Sequence, residues 1–391
     1  MAGDLAAAQQ KQAVNSIGYY NLKVGPTAWR FSSGLTTEFN DNVRLQPKAE
    51  SDLIFRPNLD TQIHWPITLK NSLDVSLGVG YSEYLQHQDL NRYFISPGSG
   101  FSFDVYSGDF RINLHDRLTI SENTYENAGG SGNRNVANLE NTLGTGVLWD
   151  LNKAIVNLGF DHVNHTALSS TQGQPGATSE NLSLSGGIRA RPELLIGLET
   201  GGSLINYQQT SQSNVLVIPS AMQWNAGVFG SATVSEYINL RLDAGYTIFT
   251  PGNSTTNLLL RDSSGIYLAL TLSHRVNQWL NYSLTAGRST DMSAYGQVQT
   301  YNYVRLQPNW NVLKKYSLST PISWRQGTRV YNTLGSGGAD YQQIVLGLNL
   351  GRRLTQKLTG SIAYQYIEET SGLTSLNFTA DIVSLNLNYQ F

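Results

Sequence analysis

The chain contains no cysteine, which excludes disulfides and thiolate metal centres. Charge is scarce as well: only 14% of its 391 residues are Asp, Glu, Lys or Arg, against roughly 25% in soluble domains. Long apolar runs are missing, and none approaches the roughly 18 to 20 residues that a spanning helix requires. No strong charge of either sign is present, and the formal net charge of −2 argues against a nucleic-acid partner. Nothing matches a phosphate-binding loop, so the sequence implies no cofactor and no metal. The start, Met1-Ala-Gly-Asp4, has no basic region followed by an apolar core, and is read as a mature or recloned N-terminus.

What the chain does hold is apolar and small. Apolar residues make up 40%, with 37 glycines and 21 tyrosines. Low charge, many apolar residues and no spanning helix fit together in a barrel whose lipid-facing side chains alternate with small polar ones.

The alternation is explicit at the C-terminus, where Val383, Leu385, Leu387, Tyr389 and Phe391 interleave with Ser384, Asn386, Asn388 and Gln390. Successive strand side chains point to opposite faces, so this segment has one apolar and one wet face. The same period recurs in Trp29, Phe31, Leu35 and Phe39, in Leu73, Val75, Leu77, Val79 and Tyr81, and in Ile238, Leu240, Leu242, Ala244, Tyr246 and Ile248. Helical spacing fits none of these segments.

Tight polar turns fall near Lys70-Asn71, Ser107-Gly108-Asp109, Leu151-Asn152-Lys153, Arg191-Pro192-Glu193, Ser235-Glu236, Asn277-Gln278, Lys314-Lys315 and Thr355-Gln356. Between them lie longer connections over 41–51, 87–98, 126–135, 169–178, 210–217, 250–262, 291–297, 332–339 and 369–376. The sequence therefore predicts an all-β, transmembrane antiparallel up-and-down barrel of about 18 strands, with 16 as the alternative. The spacing of about 40 residues also suits a propeller blade, but each repeat holds two long strands instead of four short ones. Aromatic residues sort into two belts: Trp65, Trp149, Tyr237, Trp279, Trp310 and Tyr316 near short turns, and Tyr81, Phe160, Trp224, Tyr246 and Tyr364 towards the longer loops. Residues 1–25 are expected to form a periplasmic tail, with a short helix over residues 4–14 capped by Asp4, and residues 26–391 the barrel. The other reading of that tail is a small helix that tucks into a pore mouth or docks a periplasmic partner.

The entry segment Asn21-Leu-Lys-Val-Gly-Pro-Thr-Ala-Trp-Arg-Phe31, followed by Glu38-Phe-Asn-Asp-Asn-Val43 and Ser51-Asp-Leu-Ile-Phe55, resembles the opening of the β-barrel porin type 2 family of bacterial outer-membrane barrels. The likeness in motif covers about the first 60 residues. It implies an outer-membrane pore or export barrel and carries no catalytic residues. The terminal Leu385, Leu387, Tyr389 and Phe391 likewise resemble the signal by which outer-membrane barrels are presented to the barrel-assembly machinery.

Function then rests on the wet face. Its expected pore-lining residues are Arg30, Glu38, Arg56, Asp60, Asp74, Asp104, Arg111, His115, Arg117, Arg189, Glu199, Arg241, Asp243, Arg305 and Arg325, with Asp161 on the same face. Both signs are mixed, so no single-sign selectivity ring is expected. A barrel of this size is wide enough for water, and no loop is long enough for a folded plug, so an open or weakly constricted pore is expected. His162-Val-Asn-His165 is not expected to form a metal pair, because residues three apart on a strand face opposite ways. His115 has no nucleophile assigned to it by sequence, so no enzyme is expected. Two readings remain: a pore passing polar small solutes or exporting a polysaccharide through outer-membrane lipid, and a scaffold barrel housing an electron carrier or lipoprotein.

Overall fold

A computed structural model describes residues 20–123, 136–168, 176–207, 220–251, 263–292, 298–312, 315–329 and 339–391. The chain forms a short lead strand β1 (Leu22–Val24), then β2 (Thr27–Asn40), β3 (Asp52–Thr68), β4 (Asn71–Tyr84), β5 (Arg92–Ile95), β6 (Gly100–Ser107) and β7 (Phe110–Asn123). There follow β8 (Val136–Asp150), β9 (Ala154–Ala167), β10 (Ala177–Arg191), β11 (Leu194–Tyr207), β12 (Ala221–Ser235), β13 (Ile238–Pro251) and β14 (Ser263–Arg275). The wall is completed by β15 (Leu280–Met292), β16 (Val298–Val312), β17 (Tyr316–Ser319), β18 (Ile322–Arg329), β19 (Ala339–Arg353), β20 (Leu358–Ser371) and β21 (Phe378–Gln390).

Every neighbour pairing is antiparallel, and β21 closes onto β2 with Leu387 opposite Leu35. β5 and β6 are two halves of one wall strand, and so are β17 and β18, because each pair lies between the same neighbours. With β1 set aside as a small hairpin on β2, the result is a closed barrel of 18 strands. Closure leaves no unpaired edge, which is the condition for crossing lipid with strands.

Two irregularities depart from the expected outline. The expected loop over 87–98 contains a 3-10 turn at Gln88–Leu90 and then a strand segment, since Arg92–Ile95 pairs with residues 79–82 of β4; residues 96–99 separate that segment from β6. That kink contains Pro97 and Gly98, the latter at φ +94°. The second break is at Thr320-Pro321, where proline has no N–H for the ladder; its carbonyl still accepts from Gly347 at 2.7 Å. The short turns lie where the sequence places them, with Gly108 and Asn152 in left-handed conformations at φ +57° and +66°; residues 313–314 lie outside the described residues. The N-terminal helix expected over residues 4–14 also lies outside them.

One face of the wall exposes a belt of large aliphatic side chains, including Leu59, Leu77, Leu114, Leu198, Val228, Leu242, Ile266, Leu346 and Leu385. In water such a belt would drive aggregation; against hydrocarbon it is what a barrel wall requires. Near the short turns the belt ends in aromatics, with Phe110 stacked on Trp149 at 5.2 Å and Tyr389 edge-on to Phe391 at 5.4 Å.

Candidate functional site

Register decides which side chains share the face turned away from the aliphatic belt. In β2, β3, β4 and β6, Leu35, Leu59, Leu77 and Phe101 point outward, so alternation puts Arg30, Glu38, Arg56, Asp60, Asp74 and Asp104 on the inner face. Pairing of Ser102 with His115 and of Asp104 with Asn113 carries that face onto β7, with Arg111 and Arg117. Continued round the wall, it takes in Arg189, Glu199, Arg241, Asp243, Arg305 and Arg325.

Most of these charges meet a partner across the ladder. Arg56 donates to Glu38 at 2.7 Å and to the Ser82 hydroxyl at 3.2 Å. Arg111 forks onto Asp104 at 3.0 and 3.1 Å. His64 Nδ1 lies 2.6 Å from Asp74. His115 is held at both ring nitrogens, 2.9 Å from Asn113 and 2.9 Å from Asp161. Arg241 binds Asp243 at 2.9 Å, while Tyr267 donates to Glu199 at 2.7 Å. Arg325 and Arg305 stack over Tyr301 and Tyr303 at 4.6 and 5.7 Å. Arg189 sits at the short-turn rim, bonded to Asp150 at 3.0 and 3.1 Å. Asp60 accepts from Asn58. The Nε of Arg117 is buried with no hydrogen-bond partner among the described residues.

Not every charge is inside. Asp116, His162 and Glu180 occupy the outward face of β7, β9 and β10, where His162 Nδ1 is 2.6 Å from Glu180 and Asn141 donates to Asp116 at 3.1 Å. His165, on the inner face, lies 3.8 Å from Glu140, so the two histidines do diverge.

The loop over residues 41–51 turns inward, and sequence reasoning did not foresee it. Leu45 is buried against Val345, Ile367, Phe378 and Ala380, all inner-face residues of β19 to β21. Val43 packs with Ile54, Tyr84 and Leu90. Leu45 adopts φ +50°, a conformation unfavourable for a branched side chain, so its burial holds the backbone in a strained state. Asn42, 1% exposed, ties the loop to itself and to the neighbouring β21 by donating to the Gln46 carbonyl at 2.7 Å and the Thr379 carbonyl at 2.8 Å.

Ion pairs add a second tie. Arg44 binds Glu50 at 2.9 Å and Asp89 at 2.8 Å. His87 faces Asp52 at 2.9 Å and Glu50 at 3.3 Å, and Asp52 also accepts the backbone N–H groups of Gln86 and His87. The hydrogen bond from Arg44 holds the Asp89 carboxyl below its usual range. Deeper in the same half, Arg329 forks onto Glu369 at 2.7 and 3.2 Å, and Gln343 donates to Glu369 at 3.0 Å. Glu369 begins a stretch read as loop from sequence. The signal that would have retained it is the alternation Ala363, Gln365, Ile367, Glu369 along one face of β20.

No protein-family model matches the chain, and no curated protein matches its sequence. Solved structures do share the fold. Pseudomonas aeruginosa OccK5 (OpdH) superposes with a TM-score of 0.54 at 9% identity, covering 94% of this chain and 98% of that one. Pseudomonas aeruginosa OccK2 (OpdF) in complex with glucuronate gives 0.52 at 9%, covering 93% and 98%, and Pseudomonas aeruginosa OpdK with vanillate gives the same four figures. Identity this low speaks for the fold, and the fold is that of a porin-type outer-membrane β-barrel.

Proposed function

We propose that the protein is an outer-membrane pore that lets small polar solutes diffuse across the bacterial outer membrane. The observation that carries this reading is the closed wall of 18 strands with its aliphatic belt outside and its ionised, hydrogen-bonding residues inside. A barrel of this strand number encloses an aqueous lumen. The fifteen inner-face residues from Arg30 to Arg325 then line the path, and the inward loop 41–51 narrows its long-loop end. The glucuronate and vanillate bound by proteins of this fold are small solutes of the size such a path would pass. On the same reading the barrel spans 26–391, residues 1–25 lie on the periplasmic side, and Leu385, Leu387, Tyr389 and Phe391 serve the barrel-assembly machinery as an insertion signal. Membership of the β-barrel porin type 2 family is part of this proposal.

Single-channel recording in planar bilayers tests it. Purified protein is expected to give stable, ohmic conductance steps. A silent barrel that co-purifies with a second protein would instead support the scaffold reading.

A further inference from the structure

We propose that the short-turn end of the lumen carries a subsite for a neutral polyhydroxylated solute, a mono- or oligosaccharide, built from Asn311, Ser317, Asn349, Ser361, Asn386 and Asn388. The inference rests on the pore reading and adds a substrate class to it.

A cleft of about 500 Å³ lies over this part of the wall, within the roughly 300 to 1,000 Å³ of small-ligand sites. Its floor is a row of register partners. Asn311 pairs with Ser317, Ser317 with Gly351, Gly351 with Ser361, Ser361 with Asn386, and Asn386 with Thr36. Six adjacent positions round the barrel thus present amides and hydroxyls with one glycine among them. Gly351 makes the room: a Cβ there would lie 2.6 Å from the Ser317 hydroxyl.

The hydrogen-bonding capacity of this row is largely unspent. Among the described residues, the side chains of Asn311, Ser317, Asn349 and Asn388 bond to no other group. Asn386 accepts from Thr36 at 2.7 Å, while its amide nitrogen makes only long contacts of 3.4 and 3.5 Å. Each asparagine offers two donors and an acceptor, and each serine a donor and an acceptor. Sugar hydroxyls also donate and accept at one atom, so both capacities are used at once. A carboxylate only accepts, and would leave the amide oxygens facing like charge.

The basic residues lining the cleft do not change this balance. Arg353 donates to the carbonyls of Thr355 and Gln356 at 3.2 and 2.6 Å. Arg352 points outward and stacks over Tyr316 at 5.0 Å. Lys315 stands at the rim, and among the described residues no acidic side chain lines the cleft.

The test is ion current through the reconstituted pore with maltotriose added on the short-turn side, glucuronate serving as the anionic control. Reversible partial block by maltotriose is expected, with the half-blocking concentration raised at least tenfold in the double variant Asn349→Ala/Asn388→Ala. Gly351→Val, which fills the cleft, should lose the block in the same way. Unchanged mobility on unheated gels checks that each variant folds. Block that is equal in wild type and variants, or produced by glucuronate and not maltotriose, overturns the subsite while leaving the pore intact. A barrel that passes no current overturns the pore reading instead. Binding of maltotriose to the detergent-purified protein, lost in the double variant, then decides the subsite alone.

Discussion

Two regions of the inner face handle polarity in opposite ways. Towards the long loops the lumen is filled: Ile54, Tyr84, Arg329, Ile367 and Glu369 are each 1% exposed, and the charges of Arg329 and Arg44 are held by Glu369 and by Glu50 and Asp89. Over the short-turn cleft floored by β17, β19, β20 and β21, Asn311, Ser317 and Asn349 stand exposed, and their side chains bond to no other group among the described residues. The difference is physical necessity in one region and freedom in the other. A buried charge without its partner is costly, whereas an amide facing water costs nothing and stays available to whatever enters. One region is built to hold a shape, and under the proposed reading the other meets a solute.

The largest expected effect comes from breaking the filled region. Glu369→Ala removes the carboxylate onto which the buried Arg329 guanidinium forks, and is expected to cost roughly 3 to 5 kcal/mol. Asn349→Ala should change stability by at most about 0.5 kcal/mol. Unfolding in urea, followed by mobility on unheated gels, measures both; equal losses would erase the distinction between the two regions.

The next effect confines the tolerance of the short-turn region to its inner face. Leu346→Arg places a cation on the outward face and should destabilise by roughly 2 to 4 kcal/mol if it sits near the midplane. Asn349→Arg should fold and alter conductance, and the pair Leu240→Arg and Asn239→Arg should behave likewise on β13. Comparable damage from inner and outer substitutions would reverse the assignment of faces.

Releasing the inward loop is expected to be milder. Leu45→Ala removes the side chain that anchors residues 41–51, a loss of roughly 2 kcal/mol, and should raise single-channel conductance and its noise. A variant with unaltered current would mean that the loop does not narrow the path.

The smallest effect is on pH. Arg44 depresses the Asp89 carboxyl only in the docked loop, so this pair supports docking fully above the ordinary carboxylate pKa of about 3.9. That support is lost as pH falls through the depressed value. With an Asp89 side chain 61% exposed, the contribution is below about 1 kcal/mol. Acidification below about pH 4 should increase proteolytic access to residues 41–51, with Arg44→Gln abolishing the dependence; greater docking at low pH would contradict the sign.

The fold was legible because lipid imposes strict alternation. β13 and β21 show it residue by residue, and the turns are marked by the polar and glycine residues they need. The break between β5 and β6 was not legible, since Arg92–Ile95 is too short to display a period. The inward loop was hidden for another reason. Asn42 meets Thr379 across 337 positions, and Leu45 packs onto strands at the far end of the chain, so no local pattern betrays either contact. For the site, alternation assigns the inner face to Asp104 and Arg111 but not their pairing, which depends on register. Register shifts at bulges, as between Arg189 and Arg191 or Pro66 and Thr68, and these leave no fixed mark in composition. Likewise Asn349, Asn386 and Asn388 read as polar from sequence, while their unspent hydrogen bonds become visible only once their neighbours are placed.

The central claim is a pore narrowed at its long-loop end and open at its short-turn end, and polymer exclusion in planar bilayers tests it most directly. Neutral polyethylene glycols of graded size are added to one side at a time while single-channel conductance is read. Larger polymers should enter and lower the conductance from the short-turn side than from the long-loop side. An equal cut-off from both sides, or no conductance at all, would contradict the account.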